Sequence, residues 1–393
     1  MTGIAGTLRG RNRRAVVSAV QRRPGSTRAD LARATGLSTS TISTLVAELL
    51  AADVLVELGT ASAGGRPAVS LGLDPAVGVV VGIHLGHAAL RVLVTSLDGR
   101  VLAERRHVLD VDHEPARSLD RVTTSMADLL AGPDVAADRV LGVGVAVSAP
   151  VLDRRALAAP PMLLDWGGID IAGRLAPVTG GVPVHLGNDA TLGALAEWRL
   201  GAGAGVDDLV YVMLGDGVGS GMVVGGRLHQ GAHGMAGELG HLPVVADGRV
   251  CRCGARGCLE TVVGQRALVT ALAHSRGPYC TAGQLLDLAE DGDVGALRLL
   301  SDAGQMVGTT LAGLCAVVDP ARVVIGGDLT TRVRSGDHLV AAAAEALARA
   351  LPPVAHEVPV VRASLGARTE ALGAALLAAS AADERLAALA AGH

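Results

Sequence analysis

The chain has 393 residues, half of them hydrophobic and 18% charged, with a formal net charge of −4. That composition supplies a sizeable core and two or three domains, and it excludes bulk disorder. No run of about 18 residues is continuously apolar, so no membrane-spanning helix and no insertion into a membrane are expected.

Aromatic residues make up 1% of the chain and Phe is absent, so Val, Leu, Ala and Ile must fill the core. The N-terminus carries Arg but no apolar segment of the secretory kind, which makes the cytoplasm the expected compartment. Every basic residue is Arg. The charge is uneven: residues 1–74 hold nine Arg against five acids, and residues 1–33 hold eight Arg and only Asp30. A basic N-terminal module on an acidic body suggests a nucleic-acid-binding head.

In chain order, Asn12 to Arg22 shows helical spacing through Ala15, Val16, Ala19 and Val20, and Pro24-Gly25 ends it. Thr27 can cap a second helix, Arg28 to Thr35, which Gly36 breaks. Ser38 can cap a third, running to Leu50 with Ile42, Leu45, Val46 and Leu49 on its apolar face. Val54 to Leu58 and Ala68 to Leu73 are predicted strands around a Gly-rich turn. Asp74-Pro75 is a plausible boundary, giving a head of residues 1–74 and a body of 75–393.

Two helices joined at Gly36-Leu37 have the helix-turn-helix spacing, in which the second helix enters the major groove. Its first turns offer Ser38, Thr39, Ser40, Thr41, Ser43 and Thr44. The hairpin would be a wing, and Arg66 in Gly64-Gly65-Arg66-Pro67 would suit a narrow minor groove. Arg11, Arg13 and Arg14 would add salt-dependent contacts to the DNA backbone. A small helical protein-interaction domain is the competing reading.

Beyond residue 75 short apolar strands alternate with helices, an α/β pattern. Val77 to Leu85, Ala89 to Ser96, Val140 to Val147, Leu209 to Leu214, Ser220 to Val224 and Arg322 to Ile325 are predicted strands. Leu119 to Leu130, Ala190 to Leu200, Ala296 to Val318 and His338 to Ala350 are predicted helices. Two similar lobes are possible, one about 75–183 plus a C-terminal helix and the other about 184–377.

Asn188-Asp189-Ala190 follows a strand and opens a helix, and the plain reading of Asp189 there is an N-cap. Leu214 to Gly221 alternates glycines (Gly215, Gly217, Gly219, Gly221) between two strands, a turn whose amides could approach a phosphate. A hairpin would favour the same glycines. Glu238 and His241 stand three apart and would share one face of a helical turn, a pair suited to sugar hydroxyls. Cys251, Cys253 and Cys258, with His241 upstream, meet the tetrahedral requirement of a closed structural zinc site. Glu260 follows and could reach the same cleft. Cys280 and Cys315 are expected to be core residues.

These motifs together resemble the ROK family (repressors, open reading frames and sugar kinases), and in particular its winged-helix regulators. The resemblance implies an actin-like (ribonuclease H-like) two-lobed sugar kinase fold behind a winged helix-turn-helix. It also implies zinc at His241, Cys251, Cys253 and Cys258, and a sugar pocket formed by Asn188, Asp189, Glu238, His241 and Glu260. In the family's kinases the residue matching Asp189 is the base that deprotonates the attacking hydroxyl.

One departure bears on activity. Family kinases open their first hairpin with Asp-x-Gly-Gly-Thr, which holds the metal and the nucleotide phosphates. This chain has His84-Leu85-Gly86-His87-Ala88. Phosphoryl transfer rests on positioning and charge neutralisation, so the loss should be crippling. Asp189 would then be a vestigial base, the glycine turn and Gly326-Gly327-Asp328 either structural remnants or a weak nucleotide site, and His84 and His87 ordinary strand residues. The expectation is a sugar- or sugar-phosphate-responsive DNA-binding repressor of carbohydrate-metabolism genes, acting as a homodimer or homotetramer on an operator. The alternative is an ATP-dependent sugar kinase with an accessory head. Leu163-Leu164-Asp165-Trp166 resembles the family's sugar-side loop.

Overall fold

The computed structural model describes residues 8–61, 68–109, 114–132, 135, 139–152, 155–156, 169–352 and 357–390. The head contains α1 (Leu8–Arg22), β1 (Ser26–Thr27), α2 (Arg28–Thr35), α3 (Thr39–Ala51), β2 (Leu55–Ala61) and β3 (Ala68–Leu73). Thr27 caps α2 through a capping box with Asp30. Gly36 then takes φ 71°, a left-handed conformation that suits glycine, and its N–H closes onto the Ala32 carbonyl. Ser38 caps α3 by accepting the Thr41 N–H. The wing strands β2 and β3 pair antiparallel, with β1 on the other side of β3. The tip carrying Arg66 and the Leu163–Trp166 run lie outside the described residues.

The first body sheet contains β4 (Val79–Leu85), β5 (Ala89–Ser96), β6 (Val101–Val108), β7 (Val140–Val147) and β10 (Val184–Asn188). Helix α4 (Pro115–Leu130) precedes β7, the pair β8 (Val151–Leu152) and β9 (Arg155–Ala156) follows it, and α5 (Ile171–Thr179) leads into β10. Helix α6 (Asp189–Leu200) leads to the second sheet, which starts with β11 (Leu209–Leu214), β12 (Val218–Val224) and β13 (Arg227–His229). Then come α7 (Glu260–Val263), α8 (Gln265–Arg276), α9 (Ala282–Glu290) and α10 (Val294–Val318). The remainder is β14 (Arg322–Gly326), α11 (Val333–Ala350), β15 (Val360–Arg362), α12 (Thr369–Ala381) and α13 (Asp383–Leu389).

The two sheets share one topology. Their orders are β10-β7-β4-β5-β6 and, read from the matching edge, β15-β14-β11-β12-β13. In each, three antiparallel strands are extended by two parallel ones. Two such units in one chain are the duplicated arrangement that the actin-like expectation requires.

The lobe boundary expected near Val184 is corrected. Strand β10 pairs with β7 in the first sheet, so that sheet runs on to Asn188. Helix α12 also packs on the first sheet along its length, and lobe two therefore does not extend to 377. Strand alternation explains how. On β4, Val79, Val81, Ile83 and Leu85 enter the core under α4 and α5, while Val80 and Gly82 face the other way. A Cβ on Gly82 would lie 2.1 Å from the Ala371 carbonyl oxygen, and one on Gly144 of β7 would lie 1.9 Å from that of Ala374. Only glycine at these positions lets α12 lie this close to the sheet.

Candidate functional site

The C-terminal ends of β4 and β7, the N-termini of α6 and α12, and the β11–β12 turn open onto one cleft of about 570 Å3. The crevice beyond the carboxyl ends of parallel strands is where α/β sheets place ligands. Its lining includes His84, His87, Ser148, Asp189, Gly215, Gly217, Asp328 and Glu370.

Asp189 is 4% exposed and opens α6. The cap itself is Asn188, whose Oδ1 accepts the Thr191 N–H at 3.0 Å. The plain N-cap reading therefore belongs to Asn188 and leaves the Asp189 carboxyl to face the cleft. The Asn188 amide also donates to the Ala149 carbonyl and to Asp189 Oδ1. Ser148 Oγ donates to Asp189 Oδ2 at 2.5 Å, and the Ala190 N–H reaches Oδ1 at 2.8 Å. Burial pushes the Asp189 carboxyl above the usual range, and the facing His84 pulls it back.

His84 and Glu370 are findings beyond the sequence reading, which left His84 as an ordinary strand residue. Its imidazole lies between two acids, Nε2 4.0 Å from Asp189 Oδ2 and Nδ1 3.9 Å from Glu370 Oε2. Burial lowers its pKa, and the charges of Asp189 and Asp328 oppose that shift. Burial likewise raises Glu370 to about 7, while the Tyr211 hydroxyl, donating to it at 3.2 Å, opposes that rise. The sequence signal available was positional: Ser148 and His84 end strands that run in parallel toward one crevice.

The glycine run divides. Gly215 and Gly217 line the cleft, and the Gly215 N–H bonds the Gly217 carbonyl. Gly219 and Gly221 lie in β12, where a Cβ would collide with Ala190 at the start of α6. Those two are packing glycines rather than part of a phosphate turn, which corrects the expectation for them.

Next to the cleft, Glu238 leads into a single helical turn, Leu239–His241. His241 Nε2 is 3.7 Å from Glu238 Oε2, and Nδ1 is 3.5 Å from Cys251 Sγ. Cys253 and Cys258 sulfurs are 3.7 Å apart, and the donor atoms of all four residues lie within 4.8 Å of one another. Tetrahedral zinc with Zn–S bonds near 2.3 Å and Zn–N near 2.0 Å would put sulfurs about 3.8 Å apart and a nitrogen about 3.5 Å from a sulfur. The four side chains are thus placed to hold a metal ion. Nδ1 would be the ligand atom, and Glu238 would orient the ring from behind. Burial raises the Cys251 and Cys258 thiols above their usual range.

Burial, with the charges of Asp189 and Glu260 in support, pushes Glu238 up to about 7. Glu260 accepts the Val218 N–H at 3.1 Å and pairs with Arg252 at 3.3 Å, tying the cysteine loop to β12. Arg252 is a third residue, after His84 and Glu370, whose place the sequence alone does not reveal. Cys315 is buried in the core of lobe two and Cys280 packs against it, as expected.

In the head, Thr39, Ser40, Ser43 and Thr44 are exposed on one face of α3, with Ser38 exposed at its cap. Thr41 is half-buried, and its hydroxyl lies 2.8 Å from that of Ser38. Arg11 and Arg14 are exposed. Arg13 is not available to DNA: it is 9% exposed and its Nε donates to Glu48 Oε2 at 2.9 Å, fastening α1 to α3. The expected phosphate contact is therefore corrected to a structural one. Burial raises the Asp383 carboxyl of α13 to about 6, and the charge of Arg14 is among those that oppose the rise.

Among the described residues no helix is long and apolar enough to cross a membrane. A family model described as the ROK family matches residues 80–381, and one described as winged helix-turn-helix DNA-binding matches residues 9–56. The xylose repressor of Bacillus spizizenii is 25% identical over 92% of this chain and 93% of its own length. The glucokinase of Thermotoga maritima is 31% identical over 66% of this chain and 84% of its own. Among solved structures, a ROK family transcriptional regulator, a homolog of the E. coli MLC protein, superposes with TM-score 0.77 and 25% identity, over 98% of this chain and all of that one. A ROK family glucokinase from Streptomyces griseus, in complex with glucose and AMPPNP, gives TM-score 0.69 and 27% identity over 76% of this chain and 99% of its own. Two sheets of one topology, a cluster of one His and three Cys beside an acidic cleft and a match over residues 80–381 lead to one conclusion: this chain belongs to the ROK family.

Proposed function

We propose that this chain is a DNA-binding transcriptional repressor whose hold on its operator changes when a sugar or sugar derivative occupies the cleft. The observation that carries this reading is His84. It occupies the end of β4 where the family's kinases place a carboxylate, and its imidazole, which carries no negative charge, stands between Asp189 and Glu370. A group of that kind cannot hold a metal–nucleotide complex by charge. The sugar side retains hydrogen-bonding groups in Asn188, Asp189, Glu238, His241 and Glu260. The full-length likeness to a xylose repressor supports the same reading.

His241, Cys251, Cys253 and Cys258 would hold a structural zinc ion. When bound, it would fix the loop that presents Glu238. Ser148 and Asn188 hold the Asp189 carboxyl toward the cleft by hydrogen bonds, and a sugar hydroxyl would donate to that carboxyl. Ser38, Thr39, Ser40, Thr41, Ser43 and Thr44, with Arg11 and the wing's Arg66, would meet DNA. In the cytoplasm a homodimer would present two such heads to a palindromic site.

The kinase reading draws on the glucokinase relatives and on Asp189. A panel of aldoses with ATP in a coupled assay, run beside a thermal-shift screen of the same sugars, separates the two. A sugar that raises the melting temperature without turnover supports the regulator. Turnover above about 1 per second, the lower end for competent enzymes, supports the kinase.

A further inference from the structure

Two helices begin in the cleft and end at the head. Helix α6 starts at Asp189, and ten residues later, about 15 Å along at 1.5 Å per residue, its Arg199 guanidinium donates to the backbone carbonyl of Gln21 in α1. Helix α12 starts beside Glu370 in the cleft, and its Ala375, Ala378 and Ala379 share one hydrophobic cluster with Val16, Val17 and Val20 of the head. The helices touch backbone to backbone, because a Cβ on Gly373 would lie 1.9 Å from the Leu192 carbonyl oxygen. Glu197 of α6, wholly buried, accepts the backbone N–H groups of Ser364 and Leu365 just before α12. On either side of that crossing Leu192 and Leu195 of α6 pack with Ala374 and Leu376 of α12, so the two helices share one packed contact.

At the head end, Asp383 of α13 is 4% exposed. Its helix packs on the head, with Leu386 and Ala390 in the cluster of Val16, Val17 and Val20, and burial raises the Asp383 carboxyl to about 6 while Ser18 and the charges of Arg14, Arg22 and Arg199 oppose that rise. The head is thus fastened to the body by a hydrophobic cluster and by the hydrogen bond from Arg199 to Gln21.

We infer that α6 and α12 act as a single rod coupling the cleft to the DNA-binding head, with Arg199 and Asp383 as the positioning residues that pass its movement to α1. This rests on the proposed reading of the cleft as an effector site, and it adds the route by which occupancy reaches DNA. A ligand shifts the head only through its different affinity for two rod positions. Coupling energies of this kind change affinity by about 5- to 150-fold.

Hydrogen–deuterium exchange on the full chain tests this, with D-xylose and D-glucose as probes. In the wild type, sugar is expected to slow exchange both around residues 188–192 and in α1. In Arg199→Ala and Asp383→Asn the slowing near residue 188 should persist while that in α1 is lost. Operator release by sugar should fall at least about fivefold in the same variants. Slowing confined to the cleft of the wild type overturns the rod and leaves the effector site standing. If neither sugar alters exchange anywhere, the chosen effector class is wrong, and the rod is read from unliganded Asp189→Asn. Altered exchange in α1 of that variant supports the rod, and wild-type exchange there overturns it.

Discussion

His84 Nε2 lies 4.0 Å from Asp189 Oδ2, and the ring's other nitrogen lies 3.9 Å from Glu370. An imidazole between two buried acids separates them without adding a third negative charge. Replacing it by a carboxylate, as in His84→Asp, would put three acids in one poorly solvated pocket. The expected result is a loss of stability of about 1–3 kcal/mol at pH 7, read by denaturant unfolding, with no gain of sugar phosphorylation. Recovery of turnover in that variant would show that His84 alone separates this chain from the kinases.

Glu370 gives a pH dependence of defined sign. Its carboxyl is raised from 4.5 to about 7 by burial. The folded state therefore binds the proton more tightly than the unfolded state. Stability from this group is fully present below pH 4.5 and is lost as pH rises through about 7. Glu370→Gln, which keeps an acceptor for Tyr211, should be more stable than wild type above pH 7 by up to about 3 kcal/mol. The difference should vanish below pH 4.5. Parallel melting curves at several pH values check this.

Arg13 and Arg11 should separate cleanly. Arg13→Ala leaves Glu48 short of a largely buried partner, so the head should lose about 1–3 kcal/mol of stability. Arg11→Ala should leave stability unchanged and lower the slope of log affinity against log salt by about one. Denaturant titration and salt-dependent anisotropy on a duplex distinguish them.

Cys253→Ser should remove a zinc ligand. Metal content by mass spectrometry should fall well below one ion per chain, and the melting temperature should fall with it. Wild-type metal content in the variant would show that the cluster does not hold zinc through Cys253.

Much of this was legible in the sequence because the signals are local. The caps at Thr27 and Ser38, the break at Gly36 and the cysteine spacing each act within a few residues. Strand alternation revealed β4, β5, β7 and β11 for the same reason. Helix α12 escaped because its Ala- and Leu-rich surface is buried on nearly every side, leaving no polar face to set a period. The roles of Gly82, Gly144 and Gly373 depend on backbones far apart in sequence. Arg13 looked like a DNA contact on charge alone, and only the fold brings Glu48 to it. His84 looked ordinary for a similar reason: Asp189 and Glu370 reach it from helices more than a hundred residues away.

The claim on which the rest depends is that cleft occupancy alters DNA affinity in a chain that does not turn over nucleotide. The direct measurement is fluorescence anisotropy on a duplex selected by the protein from a random library, titrated with each sugar that raises its melting temperature. At least one such sugar should weaken binding about fivefold or more in the wild type and leave Asp189→Ala unaffected. Duplex affinity that stays constant at saturating sugar, in a protein that phosphorylates that sugar, would contradict the account.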